Sequence, residues 1–354
     1  MIFFLLILLI FILYKSKLHI KNFNLNYTDI DQTKSINAIF VIIVFLAHAS
    51  TYINLNDIWY NQYYIFFRNY LAQLIVTTFL FISGFGIMES IKSKKEKYIN
   101  SIPRKRILNT FINFAIAIVL FIISNQIIGD YHNLKDIFIA FTGWISIGNS
   151  NWYIFDILML YTFTWISFRI FENNNLKGIF ATLILSIIFI VFLKYFKLAY
   201  WYNTVLCYVA GMFFSYYKKH FDKFVCENNK TYLFTLIIFS IAFVYIHKFL
   251  AEPYLFYYEI MSILFVLIIL LVCMKFEFKN KILLYLGNNV FWIYILQRIP
   301  MRILTHLNLD KFNPYLFVIA SFVSTIILAE LIKLLIKLFT KIFSIILKKI
   351  KPTK

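Results

Sequence analysis

Four polar side chains interrupt long apolar runs: His48 in INAIFVIIVFLAHASTYI, Ser83 in VTTFLFISGFGIM, Asp156 in NWYIFDILMLY and Gln297 in LGNNVFWIYILQ. Histidine already titrates near neutrality, so it suits a base that takes the proton from an attacking hydroxyl. A carboxylate such as Asp156 either holds the imidazole tautomer and stabilises the imidazolium, or is satisfied by a structural hydrogen bond or by an arginine such as Arg68 or Arg298. An ionisable group inside a membrane span costs about 2 kcal/mol or more, so it faces a protein interior. The plain alternative for His48 is a satisfied core histidine.

The runs that carry these residues dominate the chain. Of 354 residues, 62% are hydrophobic, 21% aromatic and only 14% charged. Most segments are apolar all round, the pattern of helices surrounded by lipid or by one another, which excludes an ordinary soluble domain. The expected fold is an all-α polytopic transmembrane bundle. Ten core spans are read at roughly 36–54, 73–91, 107–128, 152–171, 177–194, 199–216, 231–248, 255–274, 282–299 and 314–335, each long enough for a bilayer of about 30 Å. The opening MIFFLLILLIFILY adds a short extra segment. Its positive charges follow the apolar core instead of preceding it, so it reads as an uncleaved short span or an interfacial helix, not a signal peptide. Residues 1–30 are therefore an N-terminal span with a basic linker, and 31–354 one membrane domain with a basic tail.

The net charge of +19 lies in short segments between apolar runs, a positive-inside distribution and not a nucleic-acid stripe. Placing residues 15–34 in the cytoplasm also puts Lys92 to Arg106, Lys218, Lys219, Lys275 to Lys281 and the C-terminus there, in an inner (plasma) membrane. Lys333, Lys337, Lys341, Lys348 and Lys349 make one face of the last helix cationic, read as snorkelling at an anionic leaflet. Cys207, Cys226 and Cys273 lack ligand spacing, and the other histidines sit at loops or span ends, so no metal site is expected. In this topology, at 1.5 Å rise per residue, Asp156 lies about 6 Å, Gln297 about 8 Å, His48 about 10 Å and Ser83 about 15 Å below the outer surface. Four polar groups from four spans thus share the outer half of the bilayer.

The same stretches, in this order, with the basic loop IPRKRILNTF between them, resemble the acyltransferase-3 family of integral membrane O-acyltransferases over roughly residues 31–340. The family's FFxISGF pattern is met by Phe79, Leu80, Phe81, Ile82, Ser83, Gly84 and Phe85. Its span-one histidine corresponds to His48, and the basic residue eleven positions earlier is here Asn37, with Lys34 a turn before. Of the RxxR loop Arg106 fits the second position and Pro103 occupies the first. Of the late G-x-x-S-x-x-x-Y-x-x-H motif Gly287 and Tyr294 match, while Val290 and Gln297 stand in the other two places.

The resemblance implies an enzyme that transfers an acyl group, commonly acetyl from acetyl-CoA as co-substrate, to a hydroxyl of a cell-envelope glycan or glycolipid. His48 would be the base and Asp156 its partner. Arg104, Lys105 and Arg106 would meet the CoA phosphates, and Ser83 and Gly84 would border the donor channel, although glycines in an aromatic span equally suit close helix packing. Trp152, Tyr294 and Gln297 would face the acceptor, although aromatics near span ends also form interfacial belts. The rival class is a transporter or flippase of an envelope precursor, because many spans with a few polar groups at depth also describe a permeation path.

Overall fold

The computed structural model describes residues 1–55, 59–172, 174–250 and 255–350, with side chains through residue 341. The helices are α1 (Ile2–Leu13), α2 (Ile30–Ala49), α3 (Asn61–Leu71), α4 (Leu74–Ile99), α5 (Asn109–Ile128, entered through a π-helical turn at Pro103–Leu108), α6 (Leu134–Phe141), α7 (Trp152–Ile170) and α8 (Asn175–Phe196). They continue with α9 (Leu206–Val225), α10 (Asn229–Phe249), α11 (Leu255–Lys275), α12 (Lys281–Asn288), α13 (Val290–Leu296), α14 (Arg298–His306), α15 (Leu309–Phe312) and α16 (Pro314–Ile350). Two short strands, β1 (Lys17–Leu18) and β2 (Phe276–Glu277), pair antiparallel.

Among the described residues, eight helices are long and apolar enough to cross a membrane: α2, α4, the Pro103–Ile128 unit, α7, α8, α10, α11 and α16. The chain is an all-α, multi-pass membrane bundle. Its centre is α4, with 72% of its apolar window buried inside the protein against 17% for peripheral α10. The end carrying residues 15–34, the 92–106 turn and the 275–281 turn is called the basic end below, and the opposite end the distal end.

Three expected spans differ from the observed elements: the one read as 36–54 is helical at Ile30–Ala49, and two others depart further. The segment read as 199–216 is helical at Leu206–Val225, preceded by a 3-10 turn at Ala199–Trp201. Lys197 folds over Trp144 (3.8 Å to the ring) and Trp201 (4.3 Å), which pulls this stretch into a compact turn. The segment read as one span at 282–299 is three short helices, broken at Asn289 and Gln297. Asn289 donates to the Tyr285 carbonyl (3.0 Å) and to Glu330 (3.1 Å), and accepts from Lys333 Nζ (2.7 Å). A side chain that bridges to a neighbouring helix in this way ends its own helix locally. Lys333 is therefore drawn into a polar knot with Glu330 (3.1 Å) and does not snorkel as expected. The side chains of Lys348 and Lys349 lie outside the described residues.

Helix α1 runs between the two ends: Phe3 packs edge-on against Tyr60 (5.3 Å) at the distal end, and the Phe11 carbonyl accepts from Asn280 (2.8 Å) toward the basic end. From there residues 17–29 cross the basic end as a strap. Its anchor is Tyr27, fully buried, which donates to Asp222 (2.5 Å) while Lys218 binds the same carboxylate and lies over the ring (4.5 Å). Burial, then the bond to Asp222, push the Tyr27 hydroxyl above the ordinary tyrosine value, so it stays a donor. Hydrogen bonds to a charged group contribute about 1.5–3 kcal/mol. Tyr27→Phe is accordingly expected to lower the thermal transition of the detergent-solubilised protein by that order of free energy and to leave the helical content unchanged by circular dichroism.

The tightest helix pair is α4 with α9. A Cβ on Gly84 would strike the Tyr208 backbone carbonyl, and one on Gly211 would strike that of Phe81. Each glycine lets the other helix's backbone approach, the small-residue packing that membrane interiors favour.

Candidate active site

His48 is the penultimate residue of α2. The helix ends there because Thr51 returns to the His48 carbonyl through both its N–H (3.0 Å) and its hydroxyl (2.7 Å). The imidazole is half-buried; its Nδ1 is buried and has no hydrogen-bond partner among the described residues. The charge acting on it is that of Arg298, the first residue of α14, whose own Nε is buried without a partner among the described residues. The breaks on either side of α13 therefore have a consequence, because they turn Arg298 inward instead of leaving it on the rim, where the sequence had placed it.

One turn before Arg298 is Tyr294, buried and close enough to feel both Arg298 and Asp156. Its ring meets Tyr153 of α7 edge-on at 5.4 Å. Tyr153 in turn lies beside Ser83 of α4. Gln297 is fully buried; its amide donates to the Tyr294 carbonyl (2.9 Å), which leaves its Oε1 without a partner among the described residues. Trp152 opens α7 and packs against Tyr153 (6.1 Å) and Tyr200 (6.2 Å). The polar positions expected to share one half of the bilayer thus converge, with Tyr153, Tyr294 and Arg298 as the links.

Asp156 is fully buried, and neither carboxylate oxygen has a hydrogen-bond partner among the described residues. It makes no hydrogen bond to His48, nor to Arg68, which donates to Ser50 (3.1 Å). The charge acting on it is Glu259 of α11. Glu259 is buried and accepts the Leu206 N–H at 3.1 Å, at the first turn of α9, where the helix dipole favours an anion. The sequence reading passed over Glu259, although a lone acid in YYEIMSILFVLIIL carries the same signal as His48, an ionisable group in an apolar helix. Asn37 lies eleven residues, about 16 Å of helix, from His48; its buried Oδ1 has no partner among the described residues.

The basic end holds two further features. Arg104 and Lys105 are exposed, whereas Arg106 is half-buried, donates to the Tyr98 hydroxyl (2.9 Å) and lies over the Tyr161 ring (5.9 Å). Separately, a cavity of about 1490 Å³ opens between the strap, the first turn of α2, α4 and α9. None of Arg104, Lys105 and Arg106 lines it. Among the described residues no group of three or more His, Cys, Asp or Glu is placed to hold a metal ion.

A family model described as an acyltransferase domain, Acyl_transf_3, matches residues 33–333, well over half of the chain. No curated protein and no solved structure matches it.

Proposed function

The chain belongs to the acyltransferase-3 family, and from that membership in a membrane acyltransferase family we propose that it transfers an acyl group, acetyl in the first instance, from cytoplasmic acyl-CoA to a hydroxyl of a cell-envelope glycan or glycolipid. The basic end is assigned to the cytoplasm of the inner membrane by its lysine and arginine content, which leaves the C-terminus inside. His48, Arg298 and Tyr294 then face the acceptor side.

The observation that carries the reading is the Nδ1 of His48, buried without a hydrogen-bond partner among the described residues, on an imidazole that feels the charge of Arg298. A buried nitrogen without a partner is free to take a proton from a bound hydroxyl. In the proposed step the acceptor oxygen attacks the thioester carbonyl carbon, and its proton passes to His48. The oxyanion that forms faces Arg298, a cation with unmatched donor capacity in a water-poor site, where such a group is worth most. Collapse breaks the C–S bond, and the CoA thiolate leaves with the proton held by His48. Trp152, Tyr294 and Gln297 are proposed to face the acceptor, with the aromatic rings stacking on a sugar. The direct test is mass spectrometry of envelope glycans from cells with and without the gene, joined to release of free CoA from acetyl-CoA by the purified protein. Glycans unchanged by the gene, with no CoA released, would sink the proposal.

Asp156 is proposed to belong to the same site, and its burial gives a second test. An ionisable carboxyl without a hydrogen-bond donor is a cost to folding, and a residue kept at such a cost is characteristic of function. Asp156→Asn is expected to raise the stability of the solubilised protein by about 1 kcal/mol and to slow acyl transfer by about tenfold or more. A lowered thermal transition with unchanged transfer would remove Asp156 from the site.

A further inference from the structure

The turn of residues 142–151, which joins α6 to α7 at the distal end, takes no part in the mechanism above. Its shape is fixed from within. The Ser146 hydroxyl donates to the Asn149 carbonyl (2.7 Å) and accepts the Gly148 N–H (3.0 Å). The Ile147 N–H donates to Asn149 Oδ1 (3.0 Å), and the Asn151 amide donates to the Gly143 carbonyl (2.7 Å). The turn is also tied to its neighbours, because the Ile147 carbonyl accepts from Asn125 of α5 (2.8 Å) and from Arg302 of α14 (3.2 Å). Gly148 has φ +106°, and a Cβ there would strike the Arg302 guanidinium, so a residue with a side chain would break this contact.

Two polar groups on this rigid turn are left over. Asn149 and Ser150 are only 4% and 6% exposed, yet Asn149 Nδ2 and Ser150 Oγ have no hydrogen-bond partner among the described residues. Because Asn149 Oδ1 takes the Ile147 N–H, the orientation of the amide is set and the free end is a donor. Both groups stand beside the site. Arg302, which holds the turn, is one helical turn, about 6 Å, beyond Arg298 on α14. On the other flank Asn149 is at most about 10 Å of chain from Trp152, and the next residue, Tyr153, meets Tyr294 (5.4 Å). The turn is thus bracketed by the arginine face of α14 and the aromatic start of α7.

A buried amide donor and a buried hydroxyl near a half-buried indole match the chemistry of a pyranose. Sugar hydroxyls both donate and accept, and the C–H face of the ring stacks on an aromatic. An anionic ligand would need a free cation, and Arg302 is already paired with Asp130. We propose that Asn149 and Ser150 form a subsite that reads a non-reacting hydroxyl of the acceptor sugar and thereby selects which sugar is presented to His48. The subsite rests on the reading that the acceptor is a glycan. A site built to hydrogen-bond a hydroxyl rejects a sugar that lacks it, because its own buried groups then stay unpaired.

The test uses the full-length protein in detergent and the methyl pyranosides of glucose, galactose, mannose and N-acetylglucosamine at about 50 mM, with the thermal transition reporting binding. At least one glycoside is expected to raise the transition of the parent. Ser150→Ala removes a hydroxyl without a partner, so its ligand-free transition is expected to be unchanged or higher, while its affinity for that glycoside falls about tenfold. Asn149→Asp, which keeps the acceptor for the Ile147 N–H, is expected to lose affinity likewise. Among the monodeoxy forms of the same glycoside, one is expected to bind the parent about tenfold more weakly and to bind Ser150→Ala as well as the complete sugar does, since hydroxyl and side chain are lost as a pair. Equal losses in both proteins, a lower ligand-free transition in Ser150→Ala, or no glycoside that stabilises the parent would overturn the subsite. Release of CoA from acetyl-CoA with the same glycosides separates this proposal from the acyl-transfer reading. Glycoside binding that depends on Ser150 but stimulates no release would support the subsite and sink acyl transfer to it. Release stimulated equally in the parent and Ser150→Ala, at the same glycoside KM, would sink the subsite and leave acyl transfer standing.

Discussion

His48→Gln is expected to lower acyl transfer by about 100-fold to 10,000-fold, the range general-base catalysis supplies, while the amount of folded protein stays near that of the parent. Glutamine keeps the length and polarity of the imidazole but has no nitrogen that accepts a proton at neutral pH. The substitution separates chemistry from structure because Nδ1 has no partner to lose among the described residues. The contacts that end α2 run to the His48 backbone carbonyl, which any side chain retains. Transfer is to be followed by mass spectrometry of the acceptor glycan, with abundance and thermal transition measured on the same preparations. Transfer within threefold of the parent would remove His48 from the mechanism. A collapse in abundance would mark it instead as a packing residue.

The second large effect concerns stability and has an internal control two residues away. Alanine for glycine inside a helix normally stabilises by about 1 kcal/mol. At Gly84 the added methyl strikes the Tyr208 backbone carbonyl, and a backbone cannot rotate aside as a side chain tip can. The α4 and α9 helices must therefore separate along their whole contact. Gly84→Ala is expected to destabilise by about 3 kcal/mol, the upper part of the overpacking range, and Gly211→Ala to behave alike because it meets Phe81 from the other side. Gly86→Ala, with open space around its Cβ, is expected to be neutral or to gain up to about 1 kcal/mol. Thermal unfolding of the three variants in one detergent checks the set. Equal behaviour of Gly84→Ala and Gly86→Ala would mean that the α4–α9 approach does not limit stability.

Most of the spans and the polar residues within them were legible in one dimension. Apolar length reports whether a helix can cross a membrane, and the eight long spans overlap the stretches the hydropathy marked, although the first ends at Ala49 and not at 54. The misplacement at 199–216 and the breaks in 282–299 came from side chains acting over long range, Lys197 on two tryptophans and Asn289 on Glu330 and Lys333. No local window contains both partners of such a contact. The site divides in the same way. His48, Ser83, Asp156 and Gln297 stood out because a polar group in an apolar helix is conspicuous by itself, and Tyr294 entered through the family resemblance. That Arg298 turns toward His48, that Asp156 faces Glu259 and not the imidazole, and that Arg106 is held by Tyr98 depend on how the helices are rotated against one another.

The SGFG stretch of α4 shows the boundary most clearly. Its glycines had two readings, a channel or a packing surface, and the resemblance put Gly84, not Gly86, at the channel. The amino-acid sequence determined that a helix passes here, that it is buried and that two of its residues lack side chains. Tertiary structure decided that Gly84 serves packing and Gly86 faces the cavity. The physical reason is that a helix turns 100° per residue: helix formation and burial are properties of the segment, whereas the face a residue presents acquires a meaning only when a neighbouring helix is set against it.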